Sequence, residues 1–211
     1  MRVTANTFPN SLVDQLSVLN QRLYRLQNQA SSGQRITLPE DDPTAMQRVL
    51  DLQTESKSVA RFRQNAATLK EQAQATYQLI RDLKTVADRV GEISIQADGT
   101  KSADTLRDYA TQVTQLIQQA VETANRSFRG NYLLGGTRTD RPPFVLATDA
   151  DGRVTSVTYQ GNESVAAAEV AEGVTLSAQT LGANASGTGP MGLLTDPRSG
   201  ADFFNHLISL Q

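Results

Sequence analysis

The sequence predicts a mainly α fold, an elongated rod of long antiparallel, coiled-coil-like helices with a small β-rich insertion. Two segments repeat apolar residues at heptad spacing, and one of them is longer than ordinary globular helices. Hydrophobic residues make up 38% of the 211 residues and aromatic residues only 5%. This composition is thin for a compact core and suits helix-on-helix packing better.

The first heptad pattern lies near the N-terminus. Its members follow one another in steps of four and three residues: Leu12, Leu16, Leu19, Leu23, Leu26 and Ala30. So narrow a stripe needs a partner, because a helix of about 20 such residues is marginal alone in water. We therefore expect residues 1–42 to form an arm and linker. The five leucines are its predicted assembly interface, and the arm should be disordered in an isolated subunit.

The stretch SSGQRITLPEDDP, residues 31–43, interrupts this helical pattern. Gly33 is suited to end one helix, and Asp42 and Pro43 are suited to begin the next as N-cap and first helical residue. Asp41 and Asp42 could form a carboxylate pair, but the N-cap role accounts for Asp42. The stretch is either a link between two separate layers or a simple turn within one helical bundle.

A long helical hairpin is predicted over residues 43–140. The stripe of its first helix comprises Val59, Phe62, Ala66, Leu69, Ala73, Thr76, Ile80, Leu83, Ala87 and Val90, broadened by Tyr77, Leu79, Val86 and Ile93. That helix should have about 55 residues, which would span about 80 Å, and end at Asp98 and Gly99. A second helix, capped near Ser102, should bury Leu106, Tyr109, Val113, Leu116, Ala120, Ala124 and Phe128.

The rest of the chain differs in composition and in hydrophobic pattern. Residues 130–144 are too rich in Gly and Pro for a helix, and residues 141–200 are predicted to be a small β-rich domain. Within it, residues 153–160 and 173–179 resemble strands, residues 149–152 a turn, and residues 182–200 a loop or extended link. A helical pattern restarts at Asp202. We expect residues 201–211 to begin a returning helix that the sequence truncates.

No constellation of catalytic, cofactor-binding or metal-binding residues is found. The chain has no cysteine and a single histidine, His206, which lies outside any catalytic motif. Asp149 and Asp151 resemble the opening of a calcium loop, but its terminal Glu is missing. Gly135 and Gly136 lack the spacing of a nucleotide-binding loop. An enzyme is therefore not expected.

Charge and hydropathy exclude further classes. The net charge is −2 without a run of like charges, so neither nucleic acid nor an anionic membrane surface is an expected partner. No segment has the roughly 20 apolar residues of a membrane helix. The N-terminus lacks the apolar core of a cleavable signal peptide. Composition alone would thus indicate a cytoplasmic protein.

Two motifs resemble the bacterial flagellin-like family. ASSGQRITLPEDDP is similar to the segment of flagellins and flagellar hook-associated proteins in which S-S/T-G-x-R-I/V precedes a pair of aspartates. GNYLLGGTRTDRPPF is similar to the G-x-Y-x-F-x-G-x-x-T-x-x-P-F pattern of the hook-associated junction members, with Leu134 in place of Phe. The start MRVT and Pro43 after the aspartates also favour a junction member over a flagellin. Residues 88–100 resemble a flagellin segment seen by an innate receptor, but Gly91 replaces its usual Arg.

The resemblance implies a structural, non-enzymatic protein of the flagellum. A junction member connects the hook, through hook-associated protein 1, to the flagellin filament. Its implied partners are copies of itself in a ring, hook-associated protein 1, flagellin, an export chaperone and the type III export apparatus. It would be exported without a cleavable signal and lie outside the cell. The arm would line the inner tube, with the helical hairpin in the next layer out.

Two other interpretations stay open. The chain could be a flagellin, the filament subunit itself. The sequence pattern of residues 130–144 is the feature that distinguishes a junction protein from a flagellin. It could also be a helical binding module outside the flagellum, such as a soluble adaptor or chaperone. Polymerisation distinguishes both flagellar alternatives from that module.

Overall fold

The computed structural model describes residues 7–36, 40 and 42–211, with side chains from residue 11 onward. The N-terminal MRVT motif and Asp41 of the aspartate pair lie outside the described residues. Internal contacts divide the chain into two compact units, Met1–Val59 and Ala60–Gln211. The fold class is mainly α with a small β domain of short strands, which confirms the sequence prediction.

Four helices are present in the described part of the chain. They are α1 (Thr7–Ser32), α2 (Pro43–Gln96), α3 (Ala103–Ala124) and α4 (Phe203–Ser209). With 54 residues, α2 has the predicted length. None of the described helices has an apolar stretch of the length that crossing a bilayer would need.

The first unit consists of α1, the segment after it and the beginning of α2. None of its described residues from 11 to 59 is buried. Both helices of this unit therefore have regular backbone hydrogen bonding but no hydrophobic core beneath them. This leaves their apolar side chains open to other molecules.

In the second unit, α2 and α3 form an antiparallel pair. Ser102 is the N-cap of α3, and its hydroxyl accepts a hydrogen bond from the Thr105 backbone N–H at 3.2 Å. At the other end of α3, Arg126 forms an ion pair with Asp82 of α2 at 2.6 Å. Since Arg126 follows α3 while Asp82 lies 14 residues before the end of α2, the two helices run in opposite directions.

The buried face of α2 consists of residues that belong to the predicted, broadened stripe, but it follows only one of the two heptad phases within that stripe. Its buried residues are Thr76, Leu79, Leu83, Val86, Val90 and Ile93, whereas Ile80 and Tyr77 are exposed. From residue 43 to 75, no residue of α2 is fully buried, and Phe62 and Leu69 are only partly buried. Both phases have heptad steps, so the spacing in the sequence does not distinguish them. Contact with α3 determines which phase is buried. On α3, Ile117 is fully buried and the predicted Leu116 only partly so.

The small β domain consists of short strands. Three antiparallel hairpins are formed by β1 (Ser127–Phe128) with β2 (Asn131–Tyr132), β3 (Phe144–Thr148) with β4 (Val154–Tyr159), and β5 (Ala168–Ala171) with β6 (Val174–Leu176). A three-stranded sheet joins β7 (Leu181–Ala183) in parallel to β8 (Gly192–Asp196), which pairs antiparallel with β9 (Ala201–Asp202). Strands β4 and β6 coincide with the two predicted strand segments.

The prediction that residues 182–200 form a loop or extended link was wrong. The segment contains β8 and most of β7, and its Asn184 and Asp196 are fully buried. Asn184 donates to the carbonyl oxygens of Thr188 and Pro190, and Asp196 accepts from the Gly192 N–H. These polar side chains order a segment whose Gly- and Ser-rich composition gives no hydrophobic pattern.

One hydrophobic core joins the helices and the β domain of the second unit. It includes Leu79 and Leu83 of α2, Ile117 of α3, Phe144 of β3 and Phe204 of α4. The Phe144 ring packs against Tyr159 and Phe204, each with its centroid 5.2 Å away. The returning helix predicted from Asp202 onward is thus present as α4, packed on this core.

Candidate functional site

The predicted assembly interface is an uncovered apolar surface on α1. Its five residues, Leu12, Leu16, Leu19, Leu23 and Leu26, are between 51% and 63% exposed. We call them the leucine stripe. Spacings of three and four residues place them on one face of the helix. Single exposed leucines are ordinary on a protein surface, but a contiguous row over four turns is typical of a surface that binds another chain.

The rest of α1 is also open. Val13, Val18 and Tyr24 lie off the stripe and are each exposed by more than 60%. The helix is formed in the structure, where the sequence led us to expect disorder in a single subunit. Its intrahelical hydrogen bonds are present, but no described residue of the chain buries its side chains. Its stability therefore rests on local backbone interactions, which are marginal for a helix of this kind.

Gly33 ends α1 in the left-handed conformation. Its φ is +66°, which favours glycine, and its N–H donates to the Gln29 carbonyl at 2.9 Å. The Gln29 side chain then donates to the Arg35 carbonyl at 2.8 Å. These contacts stop the helix and fix the direction in which the chain leaves it.

Asp42 begins α2. One carboxylate oxygen accepts from the Ala45 N–H at 3.0 Å, and the other forms an ion pair with Arg35 at 3.3 Å. Pro43 is the first residue of the helix, where a missing N–H costs nothing. The same carboxylate thus satisfies one free N–H of α2 and contacts the segment that follows α1.

An apolar groove lies beside this cap, and sequence reasoning missed it. A cavity of about 500 Å³ is lined by Gln34, Arg35, Ile36, Met46, Val49, Leu50 and Gln53. Val49 and Leu50 are exposed, although no apolar stripe was predicted before Val59. The partial signal in the sequence is the spacing of Met46, Leu50 and Gln53 in steps of four and three residues, although these residues lie outside the heptad register of the stripe that begins at Val59.

The other candidates from the sequence have structural roles or none. His206 is exposed near the end of α4. The Asp149 carboxylate accepts from the backbone N–H groups of Asp151 and Arg153, so it closes a turn at the place where the calcium-like motif begins. The described residues contain no group of three or more His, Cys, Asp or Glu side chains arranged to hold a metal ion.

Gly135 and Gly136 are needed for close packing. A Cβ on Gly135 would overlap the Arg138 carbonyl oxygen, and one on Gly136 would overlap Asn162. Gly136 also has a φ of +65°. These glycines therefore allow the backbone to pass close to its neighbours, with no sign of a nucleotide loop.

Asp196 is a buried charged residue that the sequence did not predict. Its carboxylate accepts from the Arg198 guanidinium at 2.7 Å and from the Gly192 N–H at 2.9 Å. The Arg198 guanidinium holds the pKa of the Asp196 carboxyl well below its usual range. Every partner of this carboxylate is a structural group of the same sheet region, so it stabilises the fold.

Comparison with known proteins identifies the family. The family model of the bacterial flagellin N-terminal helical region matches residues 3–139, more than half of the chain. The chain belongs to this flagellin family. The matched region contains the whole of the leucine stripe, the Gly33–Asp42 segment and the α2–α3 pair. The candidate assembly surface therefore lies within the part of the chain that defines the family.

Solved structures of hook-associated proteins share the fold of this flagellin-family chain. FlgL of Xanthomonas campestris superimposes with a TM-score of 0.54 at 24% identity, covering 61% of this chain and 40% of that one. Hook-associated protein 3 of Legionella pneumophila gives 0.57 at 18% identity, covering 64% and 40%. A flagellar hook-associated protein of Vibrio parahaemolyticus gives 0.59 at 22% identity, covering 68% and 62%.

These similarities establish the fold. The matched part of the chain spans 40–62% of the length of those three proteins. No curated protein sequence matches the chain significantly. The chain is thus a flagellin-family protein with a FlgL-like fold, a fold of structural components of the flagellum.

Proposed function

We propose that this flagellin-family chain is a hook-associated junction protein, joining the hook to the flagellin filament through hook-associated protein 1. The observation that carries the proposal is the leucine stripe, which no described residue of its own chain covers. In a ring of copies, neighbouring subunits would supply the missing apolar surface. Burying a leucine fully contributes about 1.5–3 kcal/mol, so closing the stripe would stabilise the assembly substantially.

The layered arrangement is part of this proposal. Residues 1–42 would be the inner-tube arm and linker, residues 43–140 the next layer, and residues 141–200 an outer β-rich domain. Gly33, Asp42 and Pro43 support it, because together they end one helix and begin another within ten residues. Residues 130–144 favour a junction role over a filament role, because their sequence pattern resembles that of junction members.

Export and location follow from the same proposal. The subunit would leave the cell unfolded through the flagellar type III apparatus, escorted by a chaperone, and remain in the extracellular flagellum. A chain without cysteine forms no disulfide that would obstruct transit. Copies of itself, hook-associated protein 1 and flagellin would then be its partners, and it would have no enzymatic activity.

Introducing a charged residue into the leucine stripe tests the proposal. The chain is expressed in a strain that lacks its own junction protein, as wild type, as Leu19→Asp, and as Val18→Asp, a control on the same helix but off the stripe. We expect all three in the culture medium, and wild type and Val18→Asp on isolated hooks bound to hook-associated protein 1. Leu19→Asp should be exported but absent from hooks. Equal incorporation of Leu19→Asp, or failure of the wild type to bind hooks, would overturn the assignment.

A further inference from the structure

A cavity with both polar and apolar lining residues lies within the second unit. Its volume is about 340 Å³, near the lower end of small-molecule pockets. Its walls come from α2, the β1–β2 hairpin, the chain just after it, and the two ends of the β5–β6 hairpin. The lining residues are Thr68, Gln72, Phe128, Arg129, Asn131, Tyr132, Leu133, Thr137, Thr139, Ala166 and Gln179.

The lining has a single charged side chain and is rich in groups that both donate and accept hydrogen bonds. It contains no carboxylate, and its one cation, Arg129, forms an ion pair with Glu71 at 2.6 Å. The Gln72 carboxamide and the Tyr132 hydroxyl make no hydrogen bond to any described residue. Gln179 uses its side-chain oxygen to accept from the Ala166 N–H, which leaves its NH₂ group available within the described structure.

The backbone at the rim of this cavity is strained. Arg129 has a φ of 52°, and among the described residues it is the only non-glycine with positive φ. With Gly130 it forms the two-residue loop between β1 and β2, where both central residues have positive φ and Asn-Gly is the preferred pair. Strain of this kind tends to occur at functional sites. Here it brings a guanidinium to the edge of the cavity, 5.3 Å from the Phe128 ring centroid.

We propose that this cavity binds a neutral saccharide of one or two rings. A sugar hydroxyl can both donate and accept a hydrogen bond, which matches the free carboxamide and phenol groups of the lining. The C–H face of a pyranose can pack on an aromatic ring, and the lining contains Phe128 and Tyr132. An anionic ligand would find only one cation, already paired with Glu71, and a cationic ligand would find no carboxylate in the lining. Gln72, Tyr132 and Gln179 contact the hydroxyls, and Arg129 closes one side. This site goes beyond the junction role and does not depend on it.

Saccharide binding by the full chain tests the proposal. A glycan array and saturation-transfer NMR with neutral disaccharides, at up to about 10 mM, detect even millimolar affinity. We expect binding by wild type and about tenfold weaker binding by Gln72→Ala and by Tyr132→Phe, the size of one lost hydrogen bond. Matched controls are Gln74→Ala and Tyr77→Phe, whose exposed side chains lie on α2 outside the cavity lining. Both should bind like wild type.

The variants are chosen so that loss of folding is recognised. Neither changed group makes a hydrogen bond to a described residue, so thermal midpoints should stay close to wild type. Arg129→Asn should keep the hairpin, because Asn-Gly suits this loop, while weakening binding. The proposal is overturned if the wild type binds no neutral saccharide on the array or by NMR. It is equally overturned if Gln72→Ala and Tyr132→Phe bind as tightly as the two controls.

Discussion

The side chain of Asn125, the C-cap residue of α3, binds both main-chain polar groups of Phe144, the first residue of β3. Its Nδ2 donates to the Phe144 carbonyl oxygen at 2.8 Å, and its Oδ1 accepts from the Phe144 N–H at 2.9 Å. The aromatic ring of Phe144 lies in the core against Tyr159 and Phe204. One carboxamide thus fixes the β3–β4 hairpin to the end of the helical pair.

Replacing Asn125 should loosen that attachment. We expect Asn125→Ala to lower the free energy of unfolding by about 1–3 kcal/mol, because both polar groups of Phe144 would lose their partner in a partly buried position. Urea denaturation measures the change. Gln118→Ala, at an exposed position of α3, is the control and should stay within about 0.5 kcal/mol of wild type. An Asn125→Ala variant as stable as this control would mean that the two hydrogen bonds are not important for the fold.

The phase of the buried face of α2 can be tested by neighbouring substitutions. Leu83 is 4% exposed and lies in the core, whereas Ile80 is 36% exposed. Leu83→Ala should cost about 2–5 kcal/mol, and Ile80→Ala clearly less, because only Leu83 leaves a cavity. Thermal or urea unfolding compares them. Equal losses of unfolding free energy in the two variants would mean that Ile80 is buried as well, as the broader predicted stripe requires.

Asp42 should act as a helix cap and not as a metal ligand. Asp42→Ala should destabilise the start of α2 by about 0.5–2 kcal/mol, because the Ala45 N–H loses its acceptor. Asp42→Asn keeps that acceptor and removes only the charge opposite Arg35, so it should lie closer to wild type. Hydrogen exchange at Ala45 and Met46 reports the effect locally. Calcium binding by the wild type that Asp42→Ala abolishes would contradict the cap assignment.

The buried Asp196 carboxylate should make stability depend on acid pH. Its pKa is lowered in the folded state, first by the Arg198 guanidinium, so it contributes stability above the unfolded-state pKa of about 3.9. That contribution is lost as the pH falls below this value towards the folded pKa. Melting temperatures from pH 7 to pH 2 should therefore fall less steeply in Asp196→Asn, which starts from a lower midpoint at pH 7. Parallel curves for the two proteins would rule out this linkage.

The extent to which the sequence predicts the fold depends on the kind of interaction. The length of α2, the Ser102 cap and strands β4 and β6 follow from local patterns of apolar, capping and turn residues. The buried face of α2 does not, because two heptad phases coexist in its sequence and tertiary contact with α3 selects one. Strands β7 and β8 were missed because Asn184 and Asp196 order them through polar contacts, which produce no hydrophobic periodicity.

The candidate site divides in the same way. The leucine stripe and the residues Gly33, Asp42 and Pro43 are readable because spacing and local backbone chemistry define them. The groove beside Ile36 was not predicted, because it forms only where the segment after α1 lies against the start of α2. The cavity beside Gln72 was not predicted, because residues distant in sequence form its walls. Coverage of the leucine stripe depends on neighbouring molecules, so the sequence of a single chain does not encode it as a pattern.

The most direct test of the account is amide hydrogen exchange across α1 in two forms of the protein. In a dilute monomer, residues Leu16 to Leu26 should exchange quickly, since no described residue packs on the leucine stripe. In the protein bound to isolated hooks, the same amides should become strongly protected, while those around Leu79 and Ile117 should be protected in both forms. Strong protection of Leu16 to Leu26 in the dilute monomer would contradict the account. It would show that the arm folds onto its own chain and is not held open for a partner.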